Sequence, residues 1–169
     1  EKDLIMEDEL LNCTKEQAEH MMLVDLARND IGRVCDLSEV KVEHLMHLER
    51  FSHVVHMVSD IRGVLRTDRT VFDAFRSTFP HGTVTGAPKI RAKQIIAEME
   101  EDRRGIYSGS VGYFDFFGNT DSAIAIRTML VKNNVAYIQA AGGIVYDSIP
   151  EMEYKESMNK MAGCLAAIL

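Results

Sequence analysis

Two polar links, Gly118-Asn119 and Asn133-Asn134, cut an apolar stretch into segments that read as strands at about 107–116, 121–132 and 135–141. Links that short allow only antiparallel pairing, because a parallel pair needs a crossover of a dozen or more residues. Phe51 to Leu65, rich in Val, Ile and His, reads as another strand that runs past Gly63 into a polar turn at Arg66 to Arg69. Helical patterns surround these strands. Thr14 with Gln17 suggests a capping box, opening a helix through Ala18 to Arg28 that stops near Gly32. A second helix is predicted at about 70–79, and a third from Pro88 to about Glu101, carrying Ile90, Ile95, Ile96 and Met99. The last spans about 150–168, with Ser148 and Glu151 as a capping pair and Pro150 in its first turn. Helices flanking an antiparallel β-sheet define an α+β fold. No repeat, low-complexity segment or linker interrupts the chain, so one domain is expected over 1–169.

Composition narrows the function classes. A formal charge of -7 without a cluster of Lys and Arg argues against a nucleic-acid partner, since a polyanion is held by grouped cations. The 3 cysteines, Cys13, Cys35 and Cys164, lie far apart and form no Cys-x-x-Cys pair. A disulfide framework and a cysteine zinc site are both disfavoured, and a reducing cytosol suits the chain. No long apolar run or signal peptide points to a membrane. The chain opens on Glu1 in an acidic, helix-compatible stretch, which reads as a piece of a longer polypeptide.

Residues Gly82-Thr83-Val84-Thr85-Gly86-Ala87-Pro88-Lys89-Ile90-Arg91-Ala92 read as a Gly-rich turn running straight into a helix, with Pro88 at its first position. The free N–H groups of such a helix start, beside the Thr83 and Thr85 hydroxyls, suit a carboxylate or phosphate. A nucleotide loop is excluded, because three residues separate Gly82 from Gly86 and Lys89 does not follow a glycine. Taken alone, the segment reads first as a plain strand-to-helix connection.

Isolated acids and bases supply the remaining candidates. Glu19 shares a helical face with Met22, Leu23 and Leu26, an unusual place for a carboxylate unless it reaches water or an Arg at the core rim. Glu153 and Glu156 project from one face of the last helix, with Lys160 a turn later. Together with Glu19 they would offer the oxygen-rich set that Mg²⁺ prefers; alone they read as a solvated first turn with a Glu156–Lys160 salt bridge. Strand alternation puts His53 and His56 on opposite faces, which disfavours a shared zinc site, and His44 and His47 are expected on an exposed helix or loop. Arg127 interrupts an apolar strand and calls for a carboxylate partner, from the protein or from a ligand. Tyr107 reads as a core aromatic or a site residue, Gly142 and Gly143 as a bulge or a place of close backbone approach. The charged run from Glu98 to Arg104 reads as a solvated helix end.

Taken together, several segments resemble the chorismate-utilising enzymes in order and spacing. They are Ala18-Glu19-His20, Val24-Asp25-Leu26-Ala27-Arg28-Asn29-Asp30, Glu49-Arg50-Phe51-Ser52-His53-Val54-Val55-His56, Gly82 to Ala92, Ala125-Ile126-Arg127-Thr128 and Ala141-Gly142-Gly143-Ile144-Val145. Within that family the spelling is most similar to the large subunits of anthranilate synthases and next to aminodeoxychorismate synthases, and the similarity covers essentially the whole chain. The resemblance implies the C-terminal part of a chorismate-binding α+β fold and a Mg²⁺-dependent lyase activity. The expected reaction aminates chorismate and eliminates pyruvate to give anthranilate, for tryptophan biosynthesis in the cytoplasm.

By the same resemblance, Glu19, Glu153 and Glu156 occupy the metal positions, and Tyr107 and Arg127 grip the enolpyruvyl carboxylate with amides around Ala141 and Gly143. Thr83 and Lys160 contact substrate, and His56 stands at the active-site histidine position. The partner implied is a glutamine amidotransferase subunit supplying ammonia. The resemblance also implies that family members have a long N-terminal portion with further pocket walls, so this stretch alone is expected to be inactive and, with unmatched sheet edges, prone to self-association. A noncatalytic interaction module with a degenerate pocket is the reading from another class.

Overall fold

Helix α1, Thr14–Gly32, frames the N-terminal half, and it ends at the expected glycine. The computed structural model describes residues 10–50 and 55–168, and by its internal packing the chain divides into two compact units, Glu1–Gly82 and Thr83–Leu169. In the first, α1 packs against the antiparallel hairpin of β1 (Lys41–Arg50) and β2 (Val55–Arg62) and against α2 (Val71–Thr78). Val24, Val34 and Cys35 form its buried apolar centre. Main-chain bonds from Asp36 N to Val64 O (2.9 Å) and from Arg66 N to Val34 O (3.1 Å) join the segment after β2 to the one after α1.

Strand β1 runs where the sequence reading placed only a helix or loop, so His44 and His47 are strand residues. The period-2 pattern of 41–50 is hidden because its pairing with β2 shifts register between Val42 and His44 and again between His44 and His47. Met46 takes the extra turn with φ +53, its amide held by Ser59 Oγ at 2.9 Å. That hydroxyl also pairs with His20 Nε2 at 2.6 Å, tying the irregular strand to α1. Strand β2 stops at Arg62 rather than passing Gly63, and Leu65 keeps only an isolated bridge to Cys35. Of the predicted strand over Phe51 to Leu65, residues 51–54, including His53, lie outside the described residues.

Two capping expectations give way to others. Cys13 caps α1 without a side-chain bond, and Gln17 turns its amide to the Leu11 carbonyl instead. Ser148 Oγ accepts from the Val145 amide, leaving Ile149 as the cap of the last helix. A true capping box opens α2, where Asp73 Oδ2 accepts from Thr70 N at 2.9 Å.

The second unit begins in the helical turn α3 (Gly82–Thr85), and helix α4 (Lys89–Met99) follows with Pro88 at the cap position outside it. Of the two glycines in this turn Gly86 uses glycine's freedom, with φ +98; Gly82 is helical and matters for space, as a Cβ there would lie 2.2 Å from Leu26 Cδ2. Strands β3 (Ser110–Phe114) and β4 (Thr120–Ile124) form one antiparallel pair, and β5 (Met129–Lys132) and β6 (Val135–Ile138) another. Asn133 and Asn134, at φ +52 and +59, make the tight second link that their identity suggests. The single strand expected over 121–132 is broken: Ile126 N bonds Ile124 O at 2.9 Å and Arg127 takes φ +51, so the backbone turns a corner between β4 and β5. Helix α5, Pro150–Ala166, starts at its proline and packs on β6. The outcome is the α+β class, with every ladder antiparallel among the described residues.

Candidate functional site

Five of the residues singled out from sequence meet around one stretch of backbone in the second unit, Ala141 to Gly142. The Ala141 backbone lies close enough to the Tyr107 hydroxyl to favour its ionised form, and the Ala141 carbonyl accepts from Lys160 Nζ at 3.3 Å. Lys160 in turn pairs with Glu156 Oε1, and its own carbonyl accepts from Arg127 Nη1 at 3.0 Å. Gly142 faces the acids directly: a Cβ there would lie 3.2 Å from Glu153 Oε2 and 3.8 Å from Glu156 Oε2. The helix rule brought Glu153, Glu156 and Lys160 to one side of α5, and the glycine lets the loop descend onto them.

The Glu156–Lys160 salt bridge therefore forms as the plain reading of the helix had it, but the first turn is not uniformly solvated. Glu153 is 6% exposed, whereas Glu156 is open to solvent. Two carboxylates thus lie near one glycine, Glu156 paired with the Lys160 ammonium and Glu153 buried, a setting in which a cation is favoured beside them. Of the two partners open to Arg127, a protein or a ligand carboxylate, the protein one is not what it meets among the described residues. Its partner is a main-chain carbonyl and its side chain is exposed, because the corner in the backbone lifts it off the strand surface where a carboxylate would have been needed.

Tyr107 forms part of the wall of an open cavity of about 610 Å³, shared with Arg104, Ala125, Thr128, Tyr137 and Gln139. Burial pushes its phenol above the ordinary range, more than the cations of Arg104 and Arg127 and the Ala141 backbone pull it down. It is therefore a neutral O–H near pH 7, able to donate to an anion.

Arg104 is the residue that sequence reasoning missed. Its run reads from the sequence as a solvated helix end, yet its side chain is 17% exposed and bonded to Glu100, Val84 and Ser108. The signal available was the spacing of Glu100 and Arg104, i and i+4, just before the strand region.

Thr83 sits exposed in α3 of this same unit, and Gly143 is exposed beside Gly142. The other two site candidates belong to the first unit. Glu19 lies on α1, half-buried, with Lys15 Nζ 3.6 Å from its Oε1. His56 is at an exposed position of β2, opposite Glu49 in the ladder. Within neither unit do three or more His, Cys, Asp or Glu gather as a metal-holding group among the described residues.

Comparison with known proteins bears on the same segments. A family model described as chorismate binding enzyme matches residues 1–166. Anthranilate synthase component 1 of Aquifex aeolicus is 55% identical over 99% of this chain and 34% of its own length. The component 1 of Saccharomyces cerevisiae is 56% identical over 95% of the chain and 32% of its length. The crystal structure of anthranilate synthase component I from Streptococcus pneumoniae superposes with a TM-score of 0.88 at 50% identity, covering 95% of this chain and 37% of that one. An isochorismate synthase structure from Bacillus anthracis shares the fold, with a TM-score of 0.90 at 24% identity over 99% of this chain and 44% of that one. The chain spans about a third of the length of the curated relatives it matches.

Proposed function

Since the chain belongs to the chorismate binding enzyme family, we propose that it supplies the carboxylate-gripping and acidic part of an anthranilate-forming active site. The observation that carries this reading is the cluster on Ala141 and Gly142, which joins Tyr107, Arg127, Lys160, Glu153 and Glu156. Similarity to anthranilate synthase component 1 over nearly the whole chain supports the choice of product.

Chorismate is a dianion, and a chain of charge -7 holds it only through local compensation. Arg127 and Lys160 supply fixed cations, and Tyr107 supplies a neutral donor beside the Ala141 backbone. In the proposed reaction ammonia adds at ring C2 as the C4 hydroxyl departs as water, and elimination of pyruvate, with the C2 proton passing to the enolpyruvyl methylene carbon, then aromatises the ring. His56 is assigned the handling of a proton for the departing hydroxyl.

Mg²⁺ is the cofactor we assign. The chemistry of the donor set fits it: two carboxylates, one nearly sealed from water, flank Gly142, and hard divalent ions take oxygen ligands. Glu153 and Glu156 would hold it, with Glu19 a third ligand by family resemblance. When bound, Mg²⁺ would neutralise and polarise the ring carboxylate. Ammonia would come from a glutamine amidotransferase subunit, and the setting would be cytoplasmic; no described helix is long and apolar enough to cross a membrane.

The test is turnover of the complete enzyme with chorismate, ammonia and Mg²⁺, reading anthranilate by its fluorescence. Glu153→Gln should abolish Mg²⁺-dependent turnover, and His56→Ala should depress kcat more than it raises KM. An enzyme that instead makes an aminodeoxychorismate, or nothing, would overturn the assignment.

A further inference from the structure

The braced guanidinium of Arg104 has no part in the chemistry above, yet it touches both flanks of the anion grip. Nη1 donates to the Val84 carbonyl at 2.6 Å and to Ser108 Oγ at 3.2 Å. Nε and Nη2 fork onto the Glu100 carboxylate at 2.8 and 2.5 Å. The guanidinium carbon stands 5.5 Å from the centre of the Tyr107 ring, and the Tyr107 amide bonds the Arg104 carbonyl at 3.0 Å. Val84 follows Thr83 directly, so a single side chain links the helical turn that carries Thr83 to the ring of Tyr107.

We propose that Arg104 is a positioning residue, setting the distance between the Thr83 turn and Tyr107 and thereby the grip on the substrate carboxylate; the inference rests on the function proposed above. Only a guanidinium has the geometry for this. It presents five N–H groups in a planar fork, enough for Glu100, Val84 and Ser108 together, while its face lies over an aromatic ring. A lysine ammonium keeps the charge but cannot fork onto Glu100 and reach the Val84 carbonyl in the same pose. Glu100 offsets the partly buried charge, so the bracket costs little electrostatically, and Tyr107 still lines the open cavity.

The experiment compares Arg104→Gln and Arg104→Lys in the complete enzyme, each checked for folding by far-UV circular dichroism. Both variants should raise the KM for chorismate about tenfold, the loss expected when charge-assisted bonds no longer hold a binding element, with kcat little changed. Rescue by lysine would mean that charge alone matters and would overturn the inference. Independently of turnover, absorbance at 295 nm follows tyrosine ionisation, with Tyr107→Phe identifying the Tyr107 component. Arg104→Gln should move that component to higher pH, because a cation over the ring is lost.

If the native enzyme makes no anthranilate, the functional assignment fails while the titration still decides the coupling of Arg104 to Tyr107. Native KM together with a native Tyr107 titration in either folded variant overturns the proposal. Should Arg104→Gln not fold, Arg104→Lys, which keeps the stem and charge, carries the KM comparison.

Discussion

Gly82→Ala isolates what that glycine is for. Its backbone is helical, so the added methyl meets no conformational penalty, and in a helical turn alanine is favoured over glycine by about 0.5–1 kcal/mol. Against that, the new Cβ would fall 2.2 Å from Leu26 Cδ2 and 3.0 Å from Leu26 Cγ. Carbon atoms settle at about 3.5–4.0 Å, so the leucine must swing away by more than about 1 Å. Leu26 is half-buried on α1, and displacing it means an off-rotamer side chain or a shift of α1 against the Gly82 backbone. Overpacking of this kind costs about 1–3 kcal/mol, and subtracting the helical gain leaves a net loss of about 0–2.5 kcal/mol, centred on about 1 kcal/mol.

The double-mutant cycle with Leu26→Ala makes the reasoning sharp. Once the leucine is shortened nothing opposes the methyl, and Gly82→Ala should become neutral or stabilising by up to about 1 kcal/mol. Urea unfolding followed by circular dichroism at 222 nm gives the four stabilities. If Gly82→Ala destabilises the Leu26→Ala background as much as the native one, the steric account is wrong.

Gly86→Ala is a contrasting case: at φ +98 it should cost about 1–2 kcal/mol whatever its neighbours, and Gly86→Asn less, measured by the same unfolding curves. Gly142→Ala should leave the unfolding midpoint near native while raising the Mg²⁺ concentration needed for half-maximal turnover several-fold, because the methyl would press on Glu153 Oε2; an unchanged requirement would count against the acid pair as ligands. Burial first, and the neighbouring His47 second, hold the His20 imidazole below its usual range. The unfolded chain then binds more protons than the folded one below about pH 6.5, so stability is full above that value and falls as pH drops through the window down to the folded value. A His20→Gln variant should lose part of that slope between pH 7.5 and 5 in urea midpoints; an identical slope would refute the assignment.

Where local chemistry dictates geometry, the elements were legible. Asn133-Asn134 announces a tight turn because both residues tolerate positive φ, Gly32 ends α1, and Pro150 opens α5. Glu153, Glu156 and Lys160 were readable as one face because helical spacing alone brings them together. What stayed hidden depends on contacts between distant residues. Strand β1 carries its irregularity in register shifts supported by Ser59 and His20, neither of which is near it in sequence. Arg104 looks like any surface arginine until the Val84 carbonyl, 20 positions earlier, is folded against it. The two absent capping boxes show that a motif marks a possibility, which Gln17 and Ser148 used for other backbone groups. That Tyr107, Arg127 and Lys160 belong together came from the resemblance, since no periodicity connects three elements so far apart.

The corner at Arg127 has a consequence for mutagenesis. Its left-handed backbone makes every ordinary substitution a change of two things at once, the guanidinium and the ease of holding φ +51. Asparagine, which accepts that conformation readily, is the neutral control that removes charge without unsettling the main chain, whereas valine or isoleucine would report mostly on main-chain distress. A saturation library at this position will therefore rank residues by a mixture of two scales, and only the Asn and Lys members separate them.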